Sequence, residues 1–290
     1  REAPAAGNRG RFAFGTRGSG AAARLESPHS MPKIARLADE VVNQIAAGEV
    51  VERPASVVKE LVENALDAEA TRIAVDVEQG GKRLIRVRDD GHGIEASDLD
   101  LAVERHATSK LRSADDLVHI ASSGFRGEAL PSIGSVADLV ITSRSRDAAE
   151  GATVGVSFSR SSPARPAGHP VGTTVEVRNL FAEVPARRKF LRAESTELRH
   201  IVDIVATLAL ARPAVGFTVR ADGRDVLLAP PAAASGERVA AILGRDVFEG
   251  LTAVDFEEQG LSVSGFVSRD PGKGGQHIAA VHAVGEQFRR

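Results

Sequence analysis

The spacing of apolar residues changes from helical to alternating between residues 54 and 89, and this change restricts the possible folds most. Over residues 54–68 apolar residues recur at helical spacing, and Pro54 stands where the first turn of a helix tolerates proline. Over residues 73–89 apolar and polar residues alternate on both sides of Gly80-Gly81, which predicts a β-hairpin. The two patterns together predict helices packed against one face of a sheet.

The rest of the chain continues this alternation of helices and strands. Further strands are predicted at 137–143, 153–158, 173–178, 217–220, 225–228 and 261–267, and helices at 38–47, 194–211 and 237–243. Residues 101–134 predict a helix and a long loop punctuated by glycines, a kind of loop that often carries function. After Pro213 the pattern changes to short strands and turns, so we expect a second domain to begin there.

The expected fold class is therefore α/β (α+β). We expect a two-layer sandwich of helices on a mixed, mainly antiparallel sheet at residues 31–212, followed by an incomplete α+β domain at 213–290 without a clear final element. Residues 1–30 are rich in Ala, Gly, Ser and Arg and lack apolar periodicity, so we expect a disordered extension there. Met31, the single methionine, suggests a native start, and a transit peptide is the alternative interpretation of residues 1–30.

Composition excludes several classes of function. The 290 residues include no cysteine, which excludes disulfides, thiolate metal sites and a cysteine nucleophile. No apolar run approaches the ~20 residues of a membrane span, so no membrane partner is expected. The net charge of −2 does not favour nucleic acid, so DNA binding would require a local basic surface.

Three polar features are candidates for chemistry, although each is weak alone. The helix at 54–68 gathers Glu60, Glu63, Asn64 and Asp67 on one side, a pattern that by itself is more typical of a solvated face. The sequence DDGHG at 89–93 directly follows a strand, as an ordinary turn also would. The loop GFRG at 124–127 offers amides and a guanidinium to an anion, whereas Lys110 alone would usually be solvated. No P-loop sequence occurs.

Five ordered stretches make the interpretation specific. They are QIAAGEVVERP at 44–54, KELVENALDA at 59–68, RHATSK at 105–110, GFRGEAL at 124–130 and PARRKFL at 185–191. In this order they resemble the ATPase family shared by gyrase, the large heat-shock chaperones, histidine kinases and MutL, and they resemble MutL in particular. The resemblance covers residues 31–211 strongly and the remainder weakly.

The resemblance implies ATP and Mg²⁺ as cofactors. Glu60 is then the general base or water-positioning carboxylate, and Asn64 binds Mg²⁺ through its amide oxygen. Asn64 lies four residues after Glu60, so the two side chains stack on one helix face, which agrees with these roles. An amide oxygen also suits Mg²⁺, which usually takes one or two protein ligands together with phosphates.

The resemblance also implies how the nucleotide is held. Asp89 accepts a hydrogen bond from the adenine amino group, Gly91 and Gly93 shape the base pocket, and Thr174 closes its back. A lid over the triphosphate is expected to contain Thr108, Ser109, Lys110, Gly124, Phe125, Arg126 and Gly127.

The implied function is ATP-dependent DNA mismatch repair in a bacterial type of cytoplasm, near the nucleoid. The implied partners are DNA, either mismatched or non-specific, a mismatch-sensing protein of the MutS type, and a second copy joined through the N-terminal domains when ATP binds. Arg187, Arg188, Lys189 and Arg192 are candidates for a DNA-contacting surface, and a simply solvated basic helix is the equal alternative.

Some residues depart from the family pattern. Asp90 stands where the family usually has Asn, and we expect its charge to weaken nucleotide binding modestly. The lysine that the family supplies to the γ-phosphate is expected beyond residue 290, and residues 274–290 lack the family's Val-Asn-Gly-Arg strand, so slow turnover is expected. The rival functions are another ATPase of this family, such as a chaperone or topoisomerase, and a non-catalytic remnant that binds nucleotide without hydrolysing it.

Overall fold

An eight-stranded sheet organises the described part of the chain. The computed structural model describes residues 39–108, 127–258, 261–268 and 278–285. The expectations for residues 1–30 and Met31, and the lid residues Ser109, Lys110, Gly124, Phe125 and Arg126, lie outside the described residues. No described helix has both the length and the apolar character required to cross a membrane.

The large sheet is mixed and mainly antiparallel, as predicted. Its strands are β1 (Arg72–Glu78), β2 (Leu84–Asp89), β3 (Asp138–Arg144), β4 (Gly151–Ser157), β5 (Arg160–Ala167), β6 (Gly172–Arg178), β7 (Gly216–Ala221) and β8 (Arg224–Ala229). Their order is β5-β4-β3-β6-β2-β1-β7-β8. Only β1 and β7 pair in parallel, and every other neighbouring pair is antiparallel. The predicted hairpin is the pair β1 and β2.

Helices cover one face of this sheet. They are α1 (Asp39–Val50), α2 (Pro54–Asp67), α3 (Leu99–Ala102), α4 (Ala129–Val136), α5 (Pro185–Arg188), α6 (Glu194–Ala211), α7 (Ser235–Leu243) and α8 (Arg245–Glu249). The apolar side predicted for α2 is buried at Val58, Leu61, Val62 and Ala65. These residues pack into one core with the alternating residues of the hairpin, so the two periodicities in the sequence meet at the interface between helix and sheet.

The sequence pattern missed three strands, β5, β9 (Leu251–Glu258) and β11 (Ile278–Gly285). Strand β5 is the outer edge of the large sheet, its sequence is RSSPARPA, and most of its residues are exposed. An edge strand tolerates proline, because the proline nitrogen that lacks a hydrogen can face away from the neighbouring strand. Such a strand has no apolar alternation from which it can be predicted.

The division expected at residue 213 does not coincide with a change of sheet. Strands β7 and β8 extend the large sheet beside β1, and the described residues from 39 onward form one compact unit. A separate three-stranded sheet contains β9, β10 (Leu261–Ser268) and β11 (Ile278–Gly285), in the order β11-β10-β9. Strand β11 occupies a segment for which the sequence predicted no final element. The division of the chain into domains otherwise stays a prediction.

Candidate functional site

A cleft of about 1100 Å³ opens between α2, the sheet and the segments around α3 and α4. Its apolar walls include Leu61 and Ala65 from α2 and Val87, Ile141 and Val175 from three adjacent strands. Its polar walls include Asn64, Asp67, Asp89, His92, Glu95, Asp98, His106, Thr108, Ser145, Arg146, Asp147 and Thr173. A flat apolar floor with a few polar groups at its ends is typical of a site for a small organic ligand.

Asp89 is held rigidly at the end of β2. Its Oδ1 accepts hydrogen bonds from the backbone N–H of Gly91 at 2.9 Å and of Thr173 at 3.3 Å. Burial raises the pKa of Asp89 above its ordinary value, although these two hydrogen bonds act in the opposite direction. Because both bonds go to Oδ1, the carboxylate has a fixed orientation in the cleft wall.

The structure corrects the assignment of Thr174 to this pocket. Successive residues of a strand point to opposite faces of the sheet. Thr173 therefore lines the cleft opposite Asp89, whereas the Thr174 hydroxyl lies 2.8 Å from Nε2 of His169. The Thr173 hydroxyl lies 2.9 Å from that of Ser143, which is fully buried and accepts a hydrogen bond from the N–H of Ile94. Side chains alternate between the two faces along β6, so Thr173 lies on the same face as Val175. This alternation was the signal that would have identified Thr173.

Asp90 directs its carboxylate to the start of β1 and is not among the described residues that line the cleft. Its carboxylate accepts hydrogen bonds from the N–H of Thr71 at 2.7 Å, the hydroxyl of Thr71 at 2.6 Å and the N–H of Arg72 at 2.8 Å. Partial burial alone would raise the pKa of Asp90, but these hydrogen bonds outweigh it and lower the pKa below its ordinary value. The departure from the family's Asn therefore stabilises the start of β1.

The turn after Asp89 requires glycine at position 93. Gly93 has φ of +74°, and a Cβ there would collide with the carbonyl of Arg144. Next to it, Nδ1 of His92 lies 2.7 Å from the Gly93 carbonyl, and both residues line the cleft. Gly91 is buried beneath Asp89 and contributes its N–H to the carboxylate instead of lining the cleft wall.

The polar face of α2 reaches the cleft through Asn64 and Asp67. Glu60 lies one turn before Asn64 and is outside the described lining of the cleft. Its Oε1 is 3.4 Å from Nζ of Lys59, which also contacts Glu63 at 2.9 Å. The lysine thus holds both carboxylates, with the Glu60 side chain about one-fifth exposed (20%).

The described ends of the expected lid meet at the rim of the cleft. Thr108 and Gly127 both line it. Gly127 has φ of +63°, and a Cβ there would lie 2.5 Å from the carbonyl oxygen of Ala107. Glycine is therefore required where the two backbone segments touch.

The basic turn at 187–192 presents only part of its charge to solvent. The Arg187 guanidinium packs against Gly48 of α1 and lies 5.8 Å from the ring centroid of Phe181. Desolvation lowers the pKa of Arg187. Arg188, Lys189 and Arg192 are exposed. The predicted set of four basic surface residues is thus reduced to three.

Comparison with known proteins agrees with this geometry. The profile of the histidine kinase-, DNA gyrase B- and HSP90-like ATPases matches residues 52–176. The solved MutL ATPase domain of Aquifex aeolicus in complex with ADP is 37% identical, with a TM-score of 0.62, and the match covers 77% of this chain and 80% of that one. The chain belongs to the MutL family. The resemblance found in the five sequence stretches is thereby confirmed.

Full-length MutL proteins are longer than the match. The DNA mismatch repair protein MutL of Pseudomonas fluorescens is 52% identical over 243 residues, which are 82% of this chain and 38% of that protein. MutL of Azotobacter vinelandii is 54% identical over 240 residues, which are 81% of this chain and 37% of that protein. The MutL-family chain therefore spans a little over one-third of the length of these relatives.

Proposed function

We propose that this chain binds and hydrolyses Mg-ATP as the ATPase part of a DNA mismatch repair protein. The observation that carries the proposal is Asp89, a partly buried carboxylate fixed by two backbone N–H groups in the wall of a nucleotide-sized cleft. A carboxylate oriented in this way is suited to accept a hydrogen bond from the exocyclic amine of adenine. The similar Aquifex aeolicus domain was solved with ADP.

The remaining walls suit the other parts of the nucleotide. Val87, Ile141 and Val175 form a flat apolar floor for the base, and Thr173 with Gly93 closes its polar end. Thr173 replaces Thr174 in this role, because only the former faces the cleft. Asn64 lies on the wall formed by α2, from which its amide oxygen would hold Mg²⁺.

The donor set of the cleft fits Mg²⁺ better than a metal held entirely by protein. Among the described residues no three His, Asp or Glu side chains converge as a metal cluster. Mg²⁺ usually takes only one or two protein ligands and completes its shell with phosphates and waters. When bound, the ion would neutralise charge on the phosphates, while Glu60, one turn from Asn64, would orient and deprotonate the attacking water.

We propose that turnover is slow. Of the described residues that line the cleft, Arg146 carries the one permanent positive charge, and none is a lysine. Phosphoryl transfer depends strongly on cations that neutralise the γ-phosphate, so the described lining by itself favours slow hydrolysis, and the expected lid residues Lys110 and Arg126 would raise the rate. A non-catalytic nucleotide-binding protein of the same family is the alternative.

Equilibrium binding of a non-hydrolysable ATP analogue, with and without Mg²⁺, tests the site. We expect Mg²⁺-dependent binding that Asn64→Ala weakens and Asp89→Asn abolishes in folded protein. Hydrolysis should be lost in Glu60→Ala while analogue binding is retained. Equal hydrolysis by the wild type and Glu60→Ala would contradict the catalytic role, and absence of turnover in both, with binding intact, would support the non-catalytic alternative.

We further propose that nucleotide binding orders the lid, including Thr108 and Gly127, and joins two copies through their N-terminal domains. The dimer would then link a mismatch-sensing protein of the MutS type to later repair factors in the bacterial cytoplasm. Light scattering with and without the analogue tests dimerisation. A mass that stays monomeric at saturating analogue would exclude nucleotide-driven dimerisation.

We also propose that Arg188, Lys189 and Arg192 contact the phosphates of DNA. All three are exposed on one turn, and contacts to phosphate dominate non-specific affinity for DNA. Arg188→Ala with Lys189→Ala should weaken binding and reduce the dependence of log affinity on log salt by about one for each phosphate that the protein no longer neutralises. Arg224→Ala, which changes an exposed arginine on β8, is the control. An unchanged salt dependence in the double variant would remove this turn from the DNA surface.

A further inference from the structure

A carboxylate is clasped by two basic side chains at the rim of the cleft. Oε2 of Glu128 accepts a hydrogen bond from Nε of Arg105 at 3.1 Å. Oε1 of the same carboxylate lies 2.8 Å from Nδ1 of His106. A second nitrogen of the Arg105 guanidinium, Nη1, donates a hydrogen bond to Oδ1 of Asn43 on α1 at 2.8 Å. Both oxygens of Glu128 are therefore occupied, and its side chain is only 17% exposed.

Glu128 lies where an uncompensated negative charge would disturb an anionic ligand. It is the residue before α4, its side chain makes no capping hydrogen bond to that helix, and the next residues, Ala129 and Leu130, line the cleft. The N-terminal end of a helix carries a partial positive charge that favours anions. A free carboxylate beside it would oppose the approach of phosphate.

The clasp also joins the two described ends of the lid. Arg105 and His106 precede Thr108, and Glu128 follows Gly127, with the backbone of Gly127 against that of Ala107. Breaking the ion pair with Arg105 would free Oε2 of Glu128 and leave its negative charge without the arginine, next to the rim residues Thr108 and Gly127.

We propose that Arg105 is a positioning residue that neutralises the Glu128 carboxylate and draws it away from the rim residues Thr108 and Gly127, where the lid would cover the phosphates of Mg-ATP. The proposal rests on the proposed nucleotide-binding function. Arg105 acts on the nucleotide only through the Glu128 carboxylate and does not contact the nucleotide itself. The effect of Arg105 must therefore depend on the number of phosphates in the ligand and on the charge of Glu128.

Calorimetric titration of the whole chain with the Mg-ATP analogue, ADP and adenosine tests this assignment. Arg105→Met should weaken binding of the analogue by about tenfold and leave adenosine within about twofold, because the released charge acts on phosphates alone. Adding Glu128→Gln to Arg105→Met removes that charge and should restore analogue binding to within about threefold of the wild type. The matched control is Arg220→Met. Arg220 on β7 makes an ion pair of 2.7 Å with Asp225 on β8, at the edge of the large sheet that is formed by β8.

The outcomes are distinct. Unchanged analogue binding in Arg105→Met would overturn the inference, and so would an equal loss of adenosine and analogue, which indicates a purely structural role. A double variant as weak as Arg105→Met would also overturn it, because neutralising Glu128 would then bring no recovery. If the wild type itself binds neither adenosine nor the analogue, the proposed function fails instead.

Discussion

Asp89 shows how the position of one carboxylate determines what the cleft recognises. Burial raises its pKa above the ordinary value, while the N–H groups of Gly91 and Thr173 lower it by a smaller amount. The ionised carboxylate accepts hydrogen bonds at both oxygens, whereas protonation converts one oxygen into a donor and so removes an acceptor for an amine. If Asp89 accepts the adenine amine as proposed, nucleotide binding is linked to pH through the pKa of this residue.

The affinity for the ATP analogue should decrease on acidification at a higher pH than an ordinary aspartate would produce. Because the pKa of Asp89 is raised, the carboxylate gains a proton earlier as the pH falls, and the acceptor for adenine is lost. Titrations between about pH 7 and about pH 4.5 measure this. Asp90→Asn should keep a midpoint above that of an ordinary aspartate but move it slightly lower, because burial is the largest cause of the raised pKa of Asp89 and the charge of Asp90 is a smaller one. An affinity that is constant over this range would contradict the role of Asp89 as the adenine acceptor.

The neighbouring threonines of β6 provide a matched pair of variants. Thr173→Val removes a hydroxyl from the cleft wall and should weaken analogue binding roughly fivefold, about the net value of one hydrogen bond. Thr174→Val removes a hydroxyl that contacts His169 on the other face and should leave binding unchanged. Binding titrations of both variants decide the matter. Weaker binding in Thr174→Val alone would show that Thr174, and not Thr173, contacts the nucleotide.

Asp90 should affect stability and not nucleotide affinity. Its pKa is lowered in the folded protein, so its ionised form stabilises the fold above the unfolded-state pKa, and this stabilisation is lost as the pH falls through the folded-state pKa. Asp90→Asn should bind the analogue as the wild type does. Urea unfolding should show that the wild type is more stable than Asp90→Asn at neutral pH and no more stable than Asp90→Asn in acid. A strong gain of affinity in Asp90→Asn would show that the charge does act on the nucleotide.

At the scale of elements, α2 and α6 hold the sheet in the position that the cleft requires. Residues Ile201, Val205 and Ala209 of α6 recur every four positions and are fully buried. They belong to the same core as the apolar side of α2, whose other side carries Asn64 into the cleft. The packing of α6 therefore supports the site indirectly, through the position of α2.

Ile201→Ala should lower the free energy of unfolding by about 2–5 kcal/mol, because it removes buried methyl groups and leaves a cavity. The control on the same helix is Arg199→Ala, whose side chain is 83% exposed and whose loss should cost less than about 0.5 kcal/mol. Chemical denaturation of the two variants gives both values. Equal stability of the two would show that α6 does not contribute to the main core.

At the scale of the whole molecule, the large sheet includes residues on both sides of Pro213. Strand β7 pairs in parallel with β1 along its whole length. The fully buried guanidinium of Arg238 in α7 donates to the carbonyls of Pro213, Val215 and Pro230 and so ties this region together. Residues beyond 213 are thus needed to complete the sheet that carries Asp89.

A chain shortened to end at residue 212 should therefore lose cooperative unfolding or aggregate, because the edge of β1 and its buried residues become exposed. A chain that ends at residue 250 keeps β7, β8 and α7 and should still bind the ATP analogue. Thermal unfolding and analogue titration of both chains test this. Normal binding by the chain that ends at 212 would show that the sequence boundary is a real domain boundary.

Local patterns predicted most of the elements. The helix α6 has the predicted bounds, and α2, β1, β2 and β6 differ from prediction by one or two residues at their ends. The strands that these patterns missed are β5, β9 and β11, of which β5 and β9 are largely exposed and lack a strict alternation of apolar and polar residues. Of the site, the sequence located the Asp89 turn, Asn64 and the ends of the lid, but it chose Thr174 over Thr173 and directed Asp90 toward the nucleotide.

These limits have a physical cause. Periodicity and turn chemistry act between neighbours in the chain, so the amino-acid sequence by itself determined the helices, the hairpin, the family and the motif residues. The direction of a side chain depends on strand register, and charge compensation depends on residues far apart in sequence. Only the tertiary structure decided that Thr173 faces Asp89, that Asp90 binds the start of β1, that Arg187 turns inward, and that Arg105 meets Glu128 across the ends of the lid.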